Sequence, residues 1–406
     1  MIYYNFSDSS SERDLEPVPP MNDSNHPNDP TLSNELHEIE IFEFYYTPIL
    51  IFLGTIGNAL SVYVFFKTKL KKLSSSYYLS ALAISDSAFL LSLLVVWLSF
   101  VRVDIFNKDI ICQTIVYLTT FTSFLSIWLV AAFTVERFVA VRYPLLRQSV
   151  CTTSRAKLMI GIMVVASMMI YSPYLVFAKP VLVPETGRVI CMIDNKWQFA
   201  AGVYNYVDTV LTFVLPVTTI VVLNGCISRT IWQLARVRRT MTTHGVTVQS
   251  GGVAGNGRAR GRRPGTFVRN NRLTSSQSTQ NKVTKMLLFV STICLCFNLP
   301  SYVLRILTYV LENKVLEENN HFKVLMQFSL ILSYTNYGIN FALYCISGQN
   351  FRKALRSVLC TRCHRDDTTG NAESRTNSSG FSATSRKRRA PFSTNNTQEM
   401  TLLNVL

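Results

Sequence analysis

Residues 286–304 read MLLFVSTICLCFNLPSYVL, a stretch without a charged side chain that is long enough to cross a lipid bilayer as a helix. A helix needs roughly 20 residues to span a hydrocarbon core about 30 Å thick. Pro300 removes one backbone hydrogen bond from such a helix, and Asn298 must keep its amide away from lipid. The stretch therefore predicts a membrane-spanning helix with a polar centre and a point of bending.

Six further runs of this kind occur along the chain, which has 406 residues, 48% hydrophobic and 16% charged. Soluble proteins of this length usually carry more charge. The runs carry no charged residue, or only the single acids Asp86 and Asp208, and cover residues 48–66, 77–101, 110–135, 158–178, 197–228 and 324–351. We therefore predict an all-α membrane protein, a seven-transmembrane helix bundle over residues 45–347.

Basic residues are distributed unevenly between the two ends of these spans. Residues 67–76, 137–157, 229–285 and 352–389 hold 31 of the 40 Lys and Arg residues. Because cytoplasmic segments are enriched in Lys and Arg, these segments are predicted to be intracellular and the N-terminus extracellular. The net charge of +16 is then a property of the cytoplasmic face and gives no reason to expect nucleic acid as a partner.

The segments outside the spans lead to further expectations. Residues 1–44, 236–281 and 360–406 are predicted to be disordered, and residues 348–359 to form an amphipathic eighth helix on the membrane surface. Asn5 and Asn22 begin glycosylation sequons in the extracellular tail. In this topology Cys112 and Cys191 are the extracellular cysteines, and we expect a disulfide between them. Cys360 and Cys363 follow the eighth helix, where we expect palmitoylation; metal binding together with His364 is the alternative.

Several short motifs carry a more specific signal. TVERFVAVRYPL (134–145) ends the third span, GN (57–58) lies in the first, LAISD (82–86) in the second, and NFALY (340–344) in the seventh. Together they closely resemble the motifs of rhodopsin-like (class A) G-protein-coupled receptors, over about residues 45–360. The alternative for Arg137 alone is a boundary arginine that reaches the lipid headgroups.

This resemblance implies roles for the matching residues. Glu136 and Arg137 would form the resting pair at the cytoplasmic end, with Tyr344 and the proline hinge Pro300 taking part in activation. A polar cluster of Asp86, Ser126, Asn336 and Asn340, with Asn58 nearby, resembles the sodium pocket of inactive receptors; a water-filled cluster without an ion is the alternative. Asn298 stands where the family usually has tryptophan, and Phe341 where it has proline. We expect the Asn298 amide to join the Asp86 cluster.

The outer half of the bundle indicates the class of ligand. Thr119 stands where amine receptors have an aspartate and Tyr334 where opsins have a lysine, while the extra cysteines of chemokine receptors are missing. A peptide ligand remains, and the sequence resembles invertebrate receptors for short amidated neuropeptides of the CNMamide and FMRFamide types. The candidate ligand residues are Thr119, Ser123, Tyr204, Asp208, Tyr302, Arg305, Met326 and Tyr334. Asp208 and Arg305 either hold the peptide or pair with each other.

The resemblance further implies a plasma-membrane receptor that is not an enzyme. Its expected partners are an extracellular peptide, a heterotrimeric G protein, arrestin, a receptor kinase and the lipid bilayer, and a sodium ion is the one cofactor it suggests. A class A receptor for a non-peptide ligand is the alternative, as is a seven-helix transporter. A transporter would need several ionisable residues along a path through the membrane.

Overall fold

The computed structural model describes residues 30–184, 187–247, 267–311 and 320–359. The predicted glycosylation sites Asn5 and Asn22 and the predicted lipidation sites Cys360 and Cys363 lie outside these ranges, as does the tail over residues 360–406. Described residues up to Val358 form one compact unit.

Seven long helices and one short helix make up most of this unit. They are α1 Pro30–Lys67, α2 Ser74–Phe100, α3 Asp109–Arg142, α4 Thr153–Tyr171, α5 in three consecutive segments (Gln198–Thr209, the π-helical turn Val210–Val214 and Leu215–Thr247), α6 Phe267–Leu311, α7 Asn320–Ser347 and α8 Gln349–Leu359. One-turn helices at Lys69–Lys72, Arg147–Val150, Tyr174–Phe177 and Asn195–Trp197 lie between them. The predicted helical bundle and eighth helix are confirmed.

Six of the helices described are long and apolar enough to cross a membrane. α7 is less apolar because SYTNYGIN (333–340) occupies its middle. It packs against α1, α2 and α6, so these polar side chains face other helices and not lipid. α7 is therefore the seventh helix of the bundle despite its lower hydropathy.

The boundaries of two predicted disordered segments were wrong. α1 begins at Pro30, inside the tail predicted over residues 1–44, because the outer end of α1 has partners. The Trp97 indole donates to the Phe44 carbonyl at 3.0 Å, and Gln327 hydrogen-bonds Glu43. A proline is also well tolerated in the first turn of a helix.

The cytoplasmic loop predicted over residues 236–281 is likewise shorter. α5 continues to Thr247 and α6 begins at Phe267. Each residue added to an existing helix gains one backbone hydrogen bond without a new nucleation cost, and neither extension contains a proline. Sequence polarity alone did not reveal this continuation.

Two glycines allow α1 and α7 to approach closely. A Cβ placed on Gly54 would lie 2.7 Å from the Gly338 Cα and 2.8 Å from a Leu90 methyl carbon. Small residues permit such backbone contact between membrane helices, where packing provides much of the stability. The sequence motif around Gly57 does not by itself indicate the contact at Gly54.

We predict that Gly54→Ala lowers the thermal stability of the purified protein, at a cost of about 1–3 kcal/mol for overpacking against backbone. The measurement is the unfolding temperature in detergent. Gly161→Ala is the matched control, because a Cβ at Gly161 on α4 meets no atom within 4 Å. Equal unfolding temperatures for the two variants would contradict the packing argument.

A β-hairpin and a disulfide join α3 to the loop before α5. β1 Ala178–Val183 pairs antiparallel with β2 Arg188–Ile193, and Cys191 in β2 is bonded to Cys112 in the first turn of α3. The Cys191 N–H donates to the Asn107 side chain at 3.0 Å. The predicted disulfide is therefore confirmed, and it anchors the hairpin to the end of α3.

Asp194 ends the hairpin on the same side. The Lys196 backbone N–H and the Lys179 ammonium, 3.2 Å away, lower the pKa of the Asp194 carboxyl.

At the opposite end of the bundle, α8 buries Phe351, and the Arg352 guanidinium donates to the Cys345 and Ile346 carbonyls at the end of α7. The contacts of Phe351 and Arg352 hold α8 against the end of α7.

Candidate functional site

A cavity lies among α2, α3, α5, α6 and α7, towards the end of the bundle that carries the hairpin. Its lining combines aromatic and aliphatic side chains with hydroxyls and one acid and one base. The lining residues are Phe89, Leu93, Thr119, Thr120, Ser123, Asp208, Thr212, Tyr302, Arg305 and Tyr334. This mixture of apolar walls with a few polar groups is typical of ligand pockets.

The structure brings six of the eight candidate ligand residues together in this cavity: Thr119, Ser123, Asp208, Tyr302, Arg305 and Tyr334. Tyr204 lies elsewhere. Its hydroxyl hydrogen-bonds the Ile170 carbonyl of α4, and its ring packs against Tyr174 and Phe177. Met326 is half-buried near the start of α7 and does not line the cavity. Sequence spacing gave the correct helices for both residues but not the direction of their side chains.

An ion pair crosses one wall of the cavity. The Arg305 guanidinium of α6 lies 2.9 Å from the Asp208 carboxylate of α5, and each residue is only 9% exposed. Arg305 also donates to the Asn205 side chain, and the Tyr171 hydroxyl of α4 donates to the other oxygen of Asp208. The structure therefore shows the two residues paired with each other. Tyr171, which the sequence analysis missed, is the fourth residue of this hydrogen-bonded group.

The π-helical turn Val210–Val214 begins two residues after Asp208 and ends two residues before Pro216. Such a turn leaves backbone carbonyls without their usual α-helical donors. The Trp128 indole N–H of α3 donates to the Leu211 carbonyl at 2.9 Å and so satisfies one of them. α3 thereby supports the irregular part of α5 that positions Asp208.

A second polar cluster lies deeper in the bundle around Asp86, which is fully buried. Its two carboxylate oxygens accept hydrogen bonds from Ser126 at 2.5 Å and from the Asn340 amide at 2.6 Å. The Asn58 amide donates to the Tyr337 carbonyl at 3.0 Å, and its buried oxygen has no partner among the described residues. These contacts tie α1, α2, α3 and α7 together, as the motif comparison implies.

Asn298 is placed differently from the expectation. Asn336 is buried on α7, and its place in the predicted sodium pocket stays a prediction. Asn298 donates to the Cys294 carbonyl at 2.8 Å and accepts from Ser333 of α7 at 2.9 Å. The prediction that the Asn298 amide joins the Asp86 cluster was therefore wrong. Ser333 is within reach of Asn298 and provides a direct link from α6 to α7.

The end of the bundle opposite the hairpin contains the residues predicted to take part in activation, Glu136, Arg137 and Tyr344. The Arg137 guanidinium lies 2.6 Å from the Glu136 carboxylate, and Ser74 at the start of α2 donates to the same oxygen at 2.7 Å. Arg137 is 8% exposed, and its Nε has no hydrogen-bond partner in the described structure. Tyr344 is completely buried against Phe351, and its hydroxyl has no partner among the described residues either.

Comparison with protein families supports the motif assignment. Residues 57–344 match the model described as the 7 transmembrane receptor (rhodopsin family). The chain belongs to this family. In this rhodopsin-family receptor, the motif residues Asp86, Glu136 and Arg137 are buried in the bundle of helices.

Curated relatives align with most of the receptor. It is 28% identical to the somatostatin receptor type 4 of Rattus norvegicus over 325 residues, 79% of this chain and 73% of the relative. It is 27% identical to the thyrotropin-releasing hormone receptor of Gallus gallus over 319 residues, 77% of this chain and 76% of the relative. The resemblance to CNMamide- and FMRFamide-type receptors stays a prediction.

The rhodopsin-family receptor departs from its family pattern at two positions that pack in the bundle. Phe341, in place of the usual proline, lies against α1, where a Cβ on Gly57 would be 2.9 Å from the Phe341 Cβ. Its ring also contacts Phe351 of α8, with the ring centroids 6.0 Å apart. Asn298, in place of the usual tryptophan, lies two residues before Pro300, which is retained inside α6. Ring packing by Phe341 thus takes the place of the usual proline. The hydrogen bond between Asn298 and Ser333 takes the place of the usual tryptophan.

We predict that Asn298→Leu changes the balance between resting and active receptor, because it removes the hydrogen bond from Ser333 across α6 and α7. A buried hydrogen bond contributes about 0.5–1.5 kcal/mol, so agonist potency should change severalfold. The measurement is a G-protein activation curve normalised to surface abundance. Thr292→Val on α6 is the control, because Thr292 is exposed and bonds only to its own helix. Identical curves for Asn298→Leu and the unchanged receptor would contradict the prediction.

Proposed function

We propose that this receptor binds an extracellular peptide in the cavity and activates heterotrimeric G proteins from the opposite end of the bundle. The observation that carries the proposal is the ion-paired cavity at the disulfide-bearing end, with the Glu136–Arg137 pair at the other end. The relatives above are named as receptors for somatostatin and thyrotropin-releasing hormone, which are peptide hormones.

The proposed orientation places the N-terminus, the hairpin and the cavity outside the cell. Two properties of the chain support it. Most of the Lys and Arg residues in the described ranges belong to segments at the end opposite the hairpin, as expected for cytoplasmic segments. The Cys112–Cys191 disulfide belongs to an oxidising compartment. In this orientation the receptor is a multi-pass protein of the plasma membrane.

The cytoplasmic face would then meet the signalling partners. Arg137 pairs with Glu136 at rest, and a groove opened by displacement of α6 would expose it to a G protein. Serine and threonine residues of the tail, outside the described residues, are proposed sites for a receptor kinase and arrestin: Thr368, Thr369, Ser374, Thr376, Ser378 and Ser379. The basic run RKRR (386–389) is proposed to contact anionic lipid.

A sodium ion near Asp86 also belongs to this proposal. The proposed ligands are hard oxygen donors, which suit such a cation. They are the side-chain oxygens of Asp86, Ser126, Asn336 and Asn340, with the partnerless oxygen of Asn58 nearby. Bound there, the ion would balance the buried carboxylate charge of the resting receptor. Sodium-dependent agonist affinity that is lost in Asp86→Asn would support this part of the proposal.

The test is a peptide screen on transfected cells with a promiscuous G-protein readout. We expect at least one peptide to activate the receptor and Arg137→Ala to abolish the response while leaving peptide binding intact. Arg142→Ala is the matched control, because Arg142 is exposed at the end of the same helix. Substrate flux without G-protein activation in the same cells would favour a transporter and overturn the proposal.

A further inference from the structure

Tyr337 of α7 lies directly behind two residues that line the cavity. Its ring stacks on the Phe89 ring of α2, with the centroids 3.8 Å apart and the ring planes at 19°. Its hydroxyl donates to the Ser123 hydroxyl oxygen of α3 at 3.0 Å. Phe89 and Ser123 line the cavity, and Tyr337 is only 5% exposed. A ligand that displaces either lining residue would therefore change the surroundings of Tyr337.

The backbone next to this side chain is linked to the buried Asp86 cluster. The Tyr337 carbonyl accepts a hydrogen bond from the Asn58 amide of α1 at 3.0 Å. Asn340 follows Tyr337 by three residues, about one turn of helix, and donates to the Asp86 carboxylate at 2.6 Å. The turn of α7 from Tyr337 to Asn340 thus joins the cavity wall to the centre of the bundle.

Asn298 of α6, where the family usually has tryptophan, is placed differently. Among the residues that the structure describes, it is not part of the cavity wall. Its amide donates to the Cys294 carbonyl of its own helix, and its oxygen accepts from Ser333. In this receptor, Tyr337 of α7 provides an aromatic contact between the cavity wall and the Asp86 level of the bundle.

We propose that Tyr337 is a positioning residue for activation, and that its hydrogen bond to Ser123 stabilises the resting receptor. The structure has the features expected at rest, because Arg137 is buried and paired with Glu136. The role of Tyr337 rests on the proposed signalling function, to which it adds a residue of α7 that acts through the cavity wall.

Ligand entry changes the partners of Tyr337. A ligand group that hydrogen-bonds Ser123 competes with the Tyr337 hydroxyl for the serine oxygen. A buried hydroxyl that loses its acceptor is costly, so the position of α7 that depends on this bond becomes less favourable. A ligand shifts a conformational equilibrium only by interacting differently with the two states, and the lost bond is such a difference. α7 then changes position at Tyr337 and carries the Asn340 contact to Asp86 with it.

Tyr337→Phe and Ser123→Ala remove this hydrogen bond from its two ends, so each tests the bond even if the other variant fails to reach the cell surface. A bond that only supports the fold would lower signalling when removed, whereas a bond specific to the resting state raises signalling without ligand. The measurement is ligand-independent G-protein activation by the full-length receptor in cells with a promiscuous G protein, normalised to surface abundance. We expect each variant to raise it about three- to tenfold, the range that corresponds to one buried hydrogen bond. Combined in one receptor, the two changes should raise it no further, because they remove the same interaction.

The thiol of Cys294 provides a second measurement that needs neither ligand nor G protein. Cys294 is a buried free cysteine of α6 and belongs to the same apolar cluster as Leu343 and Tyr344 of α7. Separation of α6 from α7 would expose it to alkylation by N-ethylmaleimide, which mass spectrometry quantifies on the purified receptor. Cys296 is exposed on the same helix and is the reference for reagent activity. We expect both variants to raise the alkylation rate of Cys294 relative to Cys296 by about three- to tenfold.

Tyr46→Phe is the matched control for the loss of a tyrosine hydroxyl. Tyr46 of α1 hydrogen-bonds Thr335 of α7 at 2.7 Å, so this variant also removes a bond between helices, but not one at the cavity wall. Thr122→Val is the control on α3, because the Thr122 hydroxyl donates to carbonyls of its own helix. Both controls should keep the ligand-independent signal and the Cys294 alkylation rate of the unchanged receptor.

The outcomes separate this role from the signalling function. If Cys294 becomes more reactive in both variants but no receptor activates a G protein, the resting-state contact of Tyr337 stands and the signalling function fails. If peptides activate the receptor but Tyr337→Phe and Ser123→Ala leave the basal signal and the Cys294 rate unchanged, signalling stands and the role of Tyr337 is overturned. That role is also overturned if Tyr46→Phe raises both quantities as much, or if the two variants lower the ligand-independent signal at equal surface abundance.

Discussion

Replacement of Arg305 by methionine is expected to lower the free energy of unfolding by about 3–5 kcal/mol, the usual cost of leaving one member of a buried ion pair alone. Asp208 would keep its carboxylate, 9% exposed, with Tyr171 as a remaining partner. The measurement is the unfolding temperature of the purified receptor, together with its abundance at the cell surface. Arg155→Met, at an exposed position on α4, is the control for loss of an arginine.

A double variant identifies the cause. Asp208→Asn added to Arg305→Met removes the unbalanced charge and keeps an oxygen that accepts the Tyr171 hydroxyl. Most of the lost stability should therefore return, because replacing both members of a buried pair is often nearly neutral. If the double variant is no more stable than Arg305→Met alone, the loss comes from packing and not from the unpaired carboxylate.

Removal of the disulfide by the paired substitutions Cys112→Ser and Cys191→Ser is the second large effect expected. The bond joins residues 79 positions apart, so its loss frees a long loop in the unfolded chain and should cost about 2–5 kcal/mol. It also releases the hairpin from α3 beside the cavity. We therefore expect a lower unfolding temperature and a weaker response to any active peptide.

Cys296→Ser provides the control for this experiment, since Cys296 is a free, exposed cysteine on α6. The two variants should be compared at equal surface abundance, so that folding loss is not mistaken for weaker binding. An unchanged unfolding temperature after removal of the disulfide would show that other contacts hold the hairpin in place. The Asn107 hydrogen bond to Cys191 would be the first such contact to examine.

The arrangement of the bundle could be predicted from the sequence because lipid imposes a strong constraint. Runs without charge must be helical when no water satisfies their backbone, and the positions of their ends follow from helix length. The ends of α1, α5 and α6 could not be predicted in this way. Once a helix leaves the membrane, its continuation depends on partners such as Trp97 for α1, and residue polarity does not reveal these partners.

The site could be predicted where a motif specifies a position and could not where side-chain direction decides. Asp86, Ser126 and Asn340 meet as the motif comparison implies, and Glu136 meets Arg137. Tyr204 was assigned to the wrong surface of α5. Asn298 was assigned to the wrong partner, because the nearby Ser333 satisfies its oxygen. Tyr171 gave no signal, since a tyrosine at the end of an apolar span resembles any interfacial tyrosine.

The π-helical turn of α5 makes the two ends of one helix rotationally independent. One residue of an α-helix corresponds to a rotation of about 100° around the axis, so an extra residue in a turn rotates everything before it relative to everything after it. Deleting one residue within Val210–Val214 would turn Asp208 away from Arg305, while Pro216 and the half of α5 beyond it kept their direction. The side chains that α5 presents to the cavity can therefore change direction without any change at the other end of the helix.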